Sequence, residues 1–213
     1  LVDPGLIGVS SGAALGAALF IVLVPGAGPL EVYALPLFAF LGGLLATLLL
    51  WRIAKTPWGV QVLVLLLAGI ALNALVGAGI GLLTFLATEE ELRSLTFWTL
   101  GGFSALTWRL LLVGVPFAFL VPLARPLNAL ALGEREAFHL GIDLERLKRR
   151  AVAGAALGVG VAVALAGGVG FLGLVAPHLF RLLAGPDHRY LLPGSALLGG
   201  SLAVLADLLA RTL

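Results

Sequence analysis

The chain has 213 residues, 61% hydrophobic and 11% charged, with 29 glycines and a net charge of +2. Its mean hydropathy is +1.13. A soluble domain is about 45–50% apolar and about 25% charged, so this composition excludes one and defines an integral membrane protein. Cysteine is absent, which excludes disulfides, thiolate metal sites and cysteine nucleophiles. Methionine is absent even at position 1, so a chain that starts Leu1-Val2-Asp3-Pro4 reads as a fragment or a processed product.

Seven apolar segments follow one another, at about 8–24, 32–51, 61–86, 108–124, 150–166, 170–184 and 192–210. None alternates with period two, which argues for helices and against a β-barrel. Pro25-Gly26-Ala27-Gly28-Pro29 makes a turn between the first two. Lys55 to Gly59 separates the second and third, with Thr56 as an N-cap and Pro57 at a first helical position. Thr88-Glu89-Glu90-Glu91 has the pattern of a capping box and predicts a short helix to about Leu100. That helix is too short to span and is expected at the outer interface, with Trp98 and Trp108 at the headgroups. The break at 128–150 is the only long hydrophilic one. It reads as two short helical stretches joined at Gly141, a C-cap, with Asp143 as the next N-cap. Gly167 to Gly170 separates the fifth and sixth segments, and Gly185 to Tyr190 the last two.

Charge sets the expected topology. With loops alternating in side, ten basic residues fall on one face: Arg52, Lys55, Arg125, Arg135, Arg146, Lys148, Arg149, Arg150, Arg181 and Arg189. Three, Arg93, Arg109 and Arg211, fall on the other. The positive-inside rule makes the first face cytoplasmic, with Leu1 inside and Leu213 outside. The net charge is too small to suggest a nucleic-acid partner.

Few residues carry chemistry. Gly168-Val169-Gly170-Phe171-Leu172-Gly173 matches G-x-G-x-x-G, but it joins two apolar helices instead of following a strand, so it is not read as a dinucleotide site. No two histidines have metal-ligand spacing. His178 follows Pro177 inside an apolar segment and is read as a neutral histidine bonding a carbonyl freed by the proline; the alternative is a functional intramembrane group. His188 lies in a polar turn and is expected to be solvated. Gly8, Gly12 and Gly16, and Gly154 with Gly158, have the spacing that lets helix backbones approach closely in lipid. Gly69, Asn73, Gly77 and Gly81 form a stripe at four-residue spacing with Asn73 as its one amide. Spacing leaves two readings open, close packing with Asn73 bonded across helices, or the lining of a translocation path. Asp207 and Arg211 read as a structural i, i+4 pair. Catalysis within the chain is not expected.

The stretch from Gly133 to Arg150 is the best functional candidate. Two short cytoplasmic helices would either lie on lipid headgroups, drawn by Arg146, Lys148, Arg149 and Arg150, or dock a soluble partner. Ala137, Phe138 and Leu140 amid charge suit an apolar contact with a polar rim.

Several stretches together resemble the FecCD-type permeases, the membrane subunits of ABC importers for iron–siderophores, haem and vitamin B12. Leu1 to Ala13 resembles the segment after their second helix, and Leu65 to Leu72 their fifth helix. Phe97 to Phe103 resembles the region just after it. Ala131-Leu-Gly-Glu134 with Leu140-Gly141 resembles their coupling segment. Gly170 to His178, Gly185 to Arg189 through Pro193, and Ala206 to Arg211 resemble the remainder. The resemblance covers the whole chain in order. It implies an all-α polytopic bundle: ten helices per subunit, of which this chain holds the third to ninth as one permease domain over 1–213, with a coupling segment at 128–148. It implies a homodimer with a second copy, two cytoplasmic ATPases that hold the ATP and Mg, an extracytoplasmic binding protein, and the cytoplasmic membrane of a bacterium or archaeon. No cofactor is expected on this chain. Gly133, Glu134, Arg135, Glu136, Ala137, Phe138, His139, Leu140, Gly141 and Ile142 would couple to the ATPase. Gly69, Asn73 and Gly77 would line the path. The gate of the family's vitamin B12 member maps to Leu1, Val62 and Leu63. That member has small hydroxyl residues where this chain has Val62 and Leu63, which suggests a hydrophobic constriction. Two other classes stay open at this point: an ion-coupled secondary transporter, and a non-transporting receptor or structural protein.

Overall fold

The computed structural model describes residues 8–24, 28–56, 59–60, 62–102, 114–168 and 170–212. Ten α-helices run α1 (Val9–Leu23), α2 (Glu31–Ala54), α3 (Val62–Leu86), α4 (Glu89–Leu100), α5 (Gly114–Leu120), α6 (Ala124–Ala131), α7 (Glu134–His139), α8 (Leu144–Ala166), α9 (Leu172–Ala184) and α10 (His188–Thr212) among the described residues. Helix is what lipid permits, because each backbone N–H and C=O must find its partner within the segment. Five stretches are long and apolar enough to cross a membrane: α2, α3, α5 through α6, α8 and α10. Helices α1 and α9 are shorter apolar helices. All seven apolar segments of the sequence are thus helical over their described parts. The fourth continues through a 3-10 turn at Val121–Leu123 as far as Ala131, and its expected beginning lies outside the described residues.

One departure is local. Thr56 does not cap a helix. Strand β1 (Lys55–Thr56) pairs antiparallel with β2 (Gly59–Val60), Lys55 opposite Val60 and Thr56 opposite Gly59, and α3 starts only at Val62. The tight link between α2 and α3 is closed by backbone ladder bonds instead of by a side-chain cap.

The chain divides into two compact units, Val2–Arg109 with Ala156–Val169, and Leu110–Ala155 with Gly170–Leu213. The first is built on contact between the backbones of α1 and α2. A Cβ added at Gly12 would meet the Gly42 carbonyl oxygen at 2.5 Å and would overlap the Ala46 Cβ. One at Gly16 would overlap the Phe38 carbonyl, and one at Gly43 would come within 2.9 Å of the Val9 carbonyl. The small-residue spacing is therefore a packing device, and Gly42 and Gly43 supply the facing surface. Ala13, Ala17, Ala39 and Val163 are buried together beside it. A second cluster joins Ala18 and Ile21 of α1, Leu83 of α3 and Leu95 of α4.

Helix α4 starts with the expected capping box. The Glu91 N–H donates to Thr88 Oγ1 at 3.4 Å and the Thr88 N–H to Glu91 Oε2 at 2.8 Å. Trp98 is half-buried and packs against both apolar clusters. Trp108 lies outside the described residues. The α4 C-terminus meets the turn after α8 backbone to backbone, with the Gly102 N–H donating to the Ala166 carbonyl at 2.9 Å. A Cβ at Gly167 would overlap the Trp98 carbonyl, and Gly101 holds φ +69°. This is the structural use of Gly167 and of Gly168, where a Cβ would come within 2.7 Å of the Thr99 carbonyl.

In the second unit α9 packs on α10, where the ring of Phe180 occupies the space a Cβ at Gly194 would need. His178 on α9 is exposed and bonds no carbonyl among the described residues. The Arg211 side chain, expected to pair with Asp207, lies outside the described residues.

Two glycine substitutions should separate. Gly12→Val overpacks the α1–α2 contact and costs at least about 1–3 kcal/mol. Gly77→Ala places its methyl where nothing lies within 4 Å, so it should be neutral or stabilise by up to about 1 kcal/mol. Thermal unfolding in detergent measures both; equal effects would contradict the backbone contact.

Candidate functional site

The residues expected to couple to a partner form a compact, capped turn. Gly133 precedes helix α7 as its N-cap, with a φ of +130° that only glycine adopts without strain, and the Ala137 N–H bonds the Gly133 carbonyl at 3.0 Å. It ends in a Schellman motif. The Ile142 N–H donates to the Ala137 carbonyl at 3.1 Å and the Gly141 N–H to the Phe138 carbonyl at 2.9 Å, with Gly141 at φ +77°. Asp143 then caps α8, its Oδ1 accepting from the Arg146 N–H at 3.0 Å while its Oδ2 lies 2.9 Å from Arg146 Nε. Lys148 Nζ donates to Glu134 Oε1 at 2.7 Å and ties α8 to the start of α7. The expected C-cap and N-cap are both present. The basic stretch around Lys148 belongs to α8 itself, which starts six residues before the apolar run.

Within this turn Ala137 is fully buried, whereas Phe138, Leu140 and Leu132 are 69%, 65% and 72% exposed. Ala137 is therefore an anchor and not part of the contact surface. Glu134, Arg135, Glu136 and His139 are exposed around the apolar trio, and Ile142 is half-buried. Large apolar side chains exposed within a charged turn are the pattern of a binding surface.

A polar clamp fixes the base of this region, and sequence reading did not find it. Asn128 on α6 donates from Nδ2 to Asp187 Oδ1 at 2.6 Å, and its Oδ1 accepts from the His188 N–H at 2.8 Å and lies 2.7 Å from His188 Nδ1. The Asp187 Oδ1 also accepts from the Arg189 N–H at 2.9 Å, so Asp187 caps α10. His188, expected in solvent, is half-buried because Asn128 engages both its backbone and its ring. The available signal is scarcity: only two asparagines occur, Asn73 and Asn128. Both bond across segments. The clamp also joins 128 to 187–188, two breaks that the charge count puts on one side.

The expected path residues lie on α3. Gly69 is buried, Asn73 half-buried, and Gly77 and Gly81 open, with nothing within 4 Å of a Cβ at either. A four-residue step drifts by about 40° around a helix with 3.6 residues per turn, so the stripe leaves the packed face as it proceeds. Leu65, Val76 and Leu83 mark that packed face. Asn73 Oδ1 accepts from Ser11 Oγ on α1 at 2.6 Å, which is the cross-helix bond of the packing reading. The open part of the stripe is Gly77 and Gly81. Of the expected gate residues, Leu1 lies outside the described residues, as does the side chain of Val62, the first residue of α3; Leu63 is exposed.

A helical bundle with lipid-facing apolar surface, glycine-mediated helix contacts and a capped polar turn exposing apolar side chains defines a polytopic membrane protein of permease type. The chain belongs to the FecCD transport family, which it matches over residues 1–213. It is 44% identical over 220 residues to the hemin transport system permease protein HmuU of Yersinia pestis, covering 100% of this chain and 65% of that protein. It is 43% identical over 215 residues to the vitamin B12 import system permease protein BtuC of Shigella sonnei, covering 99% and 65% respectively. The chain thus spans 65% of the length of these curated relatives. A solved structure described as an inward-facing conformation of a metal-chelate type ABC transporter superposes with a TM-score of 0.87 at 34% identity, covering 100% of this chain and 68% of that one.

The Arg189 N–H, and next the Asn128 amide, hold the Asp187 carboxyl below the usual carboxylate range. A folded-state pKa below the unfolded value means that ionised Asp187 stabilises the fold above that unfolded value, about 3.9, and that the contribution is lost as pH falls through the lower folded value. The difference in melting temperature between wild type and Asp187→Asn should therefore shrink on acidification below about pH 4; a constant difference would contradict the linkage. Asn128→Ala should lower the melting temperature at neutral pH by removing its bonds to Asp187 and His188, read from the same unfolding scans.

Proposed function

We propose that the chain forms the membrane-spanning permease part of an ATP-driven importer for an iron chelate, haem or vitamin B12. The observation that carries this reading is the match along the whole chain, in family and in fold, to permeases of that class. The two units are parts of one permease domain that pairs with a second copy around a central path. ATP and Mg are held by two cytoplasmic ATPase subunits, an extracytoplasmic binding protein delivers the substrate, and this chain does no catalysis of its own. It sits in the cytoplasmic membrane of a bacterium or archaeon, with the coupling turn inside.

The segment 128–148 is the coupling element. Phe138 and Leu140, with Leu132, insert as an apolar wedge into the ATPase, and the surrounding charges form a polar rim. Buried Ala137 and the Glu134–Lys148 bond make the wedge rigid with the start of α8, so that displacing it displaces α8. Closure of the ATPases on ATP moves the two wedges and tilts the lining helices, which exposes the path alternately to the two sides. Along α3 the open glycines Gly77 and Gly81 leave width for a bulky ligand, while Asn73 fixes α3 to α1. Leu63, with Val62 and Leu1, forms an apolar constriction at the inner end that closes by excluding water.

Phe138→Asp with Leu140→Asp should abolish ATPase co-purification and transport while the permease stays folded, since both side chains are exposed; intact co-purification would overturn the docking role. The chain has no cysteine of its own, so the path can be probed by single cysteines. In the assembled transporter, Gly77→Cys should react with a membrane-impermeant thiol reagent and Leu205→Cys should not; equal protection would place Gly77 against lipid or protein instead of a water-filled path.

A further inference from the structure

A cavity of about 540 Å³ lies in the second unit, between the α5–α6 stretch and the start of α10. Its size is that of ligand sites, about 300–1,000 Å³. Phe117, Leu192 and Pro193 give it apolar walls, and Arg125, His188 and Arg189 line it as well. Neither Arg125 nor Arg189 is in a salt bridge among the described residues. The Asp187 carboxylate attracts Arg189 electrostatically and its Oδ1 accepts from both the Asn128 amide and the Arg189 N–H, so it offsets one of the positive charges there. Arg181 adds positive charge close to His188, and its buried Nε has no hydrogen-bond partner among the described residues. One small cavity thus combines surplus positive charge with an apolar wall, at an end of the unit that holds six of the ten basic residues of the expected inner face between 125 and 150.

We propose that this cavity binds an anionic phospholipid of the inner leaflet, its phosphate between Arg125 and Arg189 and its first acyl carbons against Phe117, Leu192 and Pro193. A free anion would satisfy the guanidinium groups and leave the apolar wall wet; a neutral lipid would cover the wall and leave the charges unpaired. Only an amphiphile with an anionic head satisfies both. Arg forks suit phosphate oxygens in a bidentate manner, and a basic pocket between helices on the cytoplasmic side is where such headgroups settle. Because Asn128 holds α6 to the first turn of α10, an occupant beside that clamp would brace α10 against α6, the helix that leads into the coupling turn.

The test uses the intact transporter in nanodiscs that contain a trace of photoactivatable phosphatidylglycerol. Label is expected on residues 114–125 or 188–193, displaced by unlabelled phosphatidylglycerol but not by phosphatidylcholine or by millimolar inorganic phosphate. Arg125→Gln with Arg189→Gln should weaken labelling about thirtyfold, at about fivefold per basic residue, while Arg146→Gln with Arg149→Gln, at two exposed positions of α8, should leave it unchanged. Displacement by inorganic phosphate, equal labelling by a phosphatidylcholine probe, or no label at these segments because another helix or a second copy covers the cavity would each overturn the proposal. ATPase co-purification reports separately on the coupling turn, and the wild-type labelling pattern decides the matter even if the double variant does not fold.

Discussion

Gly12 and Gly42 let two helix backbones touch, and the first unit is organised around that contact. In lipid, apolar side chains gain little by leaving one apolar environment for another, so helices associate through close packing and polar bonds. The carbonyls and α-carbons along Gly12, Gly16, Gly42 and Gly43 interlock, which fixes α1 on α2. That pair then presents Ala18 and Ile21 to Leu83 and Leu95, and Leu50 and Ala54 to Leu65. Helix α3 is held through these contacts and through the bond from Ser11 to Asn73. Whatever path α3 borders inherits its position from two glycine pairs on other helices.

The second unit solves a different problem. Its polar end is ordered by hydrogen bonds instead of by close packing. Asn128, Asp187 and His188 fix where α10 begins, and the Schellman turn at Gly141 with the Asp143 cap fixes how α7 hands over to α8. Buried Ala137 and Leu147 hold the underside. The result is a short, stiff turn whose apolar side chains have no place in the rest of the described chain. Under the proposed coupling role rigidity matters, because a flexible loop would absorb a partner's motion instead of passing it on.

Features whose physics is local were legible in the sequence. Seven apolar segments are unavoidable in a chain that must bury its backbone in lipid, and all seven are helical where described. The Thr88–Glu91 box and the Gly141 and Asp143 caps involve partners three to five residues away, and each formed as expected. Features that depend on distant partners were not legible. Asn128 meets residues 59 and 60 positions away, and nothing near it signals that. Trp98 packs against Ala13 and Ala17 of α1, far earlier in the chain, a contact that its local sequence does not announce. Thr56 looked like the cap of a helix, yet the shortness of the α2–α3 link favours a two-residue ladder; Pro57 lies outside the described residues. The stripe on α3 was visible, but its division into a packed half and an open half arises from helical drift against neighbours that the sequence does not name.

These two solutions, backbone contact in lipid and a stiff polar turn, suit a membrane element that is moved by a partner and supplies no energy itself. The most direct measurement is uptake of a metal chelate, haem or corrinoid into proteoliposomes holding the intact permease, its ATPases and its binding protein. ATP-driven import predicts uptake that requires internal ATP, stops with vanadate and ignores an imposed proton or sodium gradient. Uptake by the permease without its ATPases, driven by such a gradient, would contradict it.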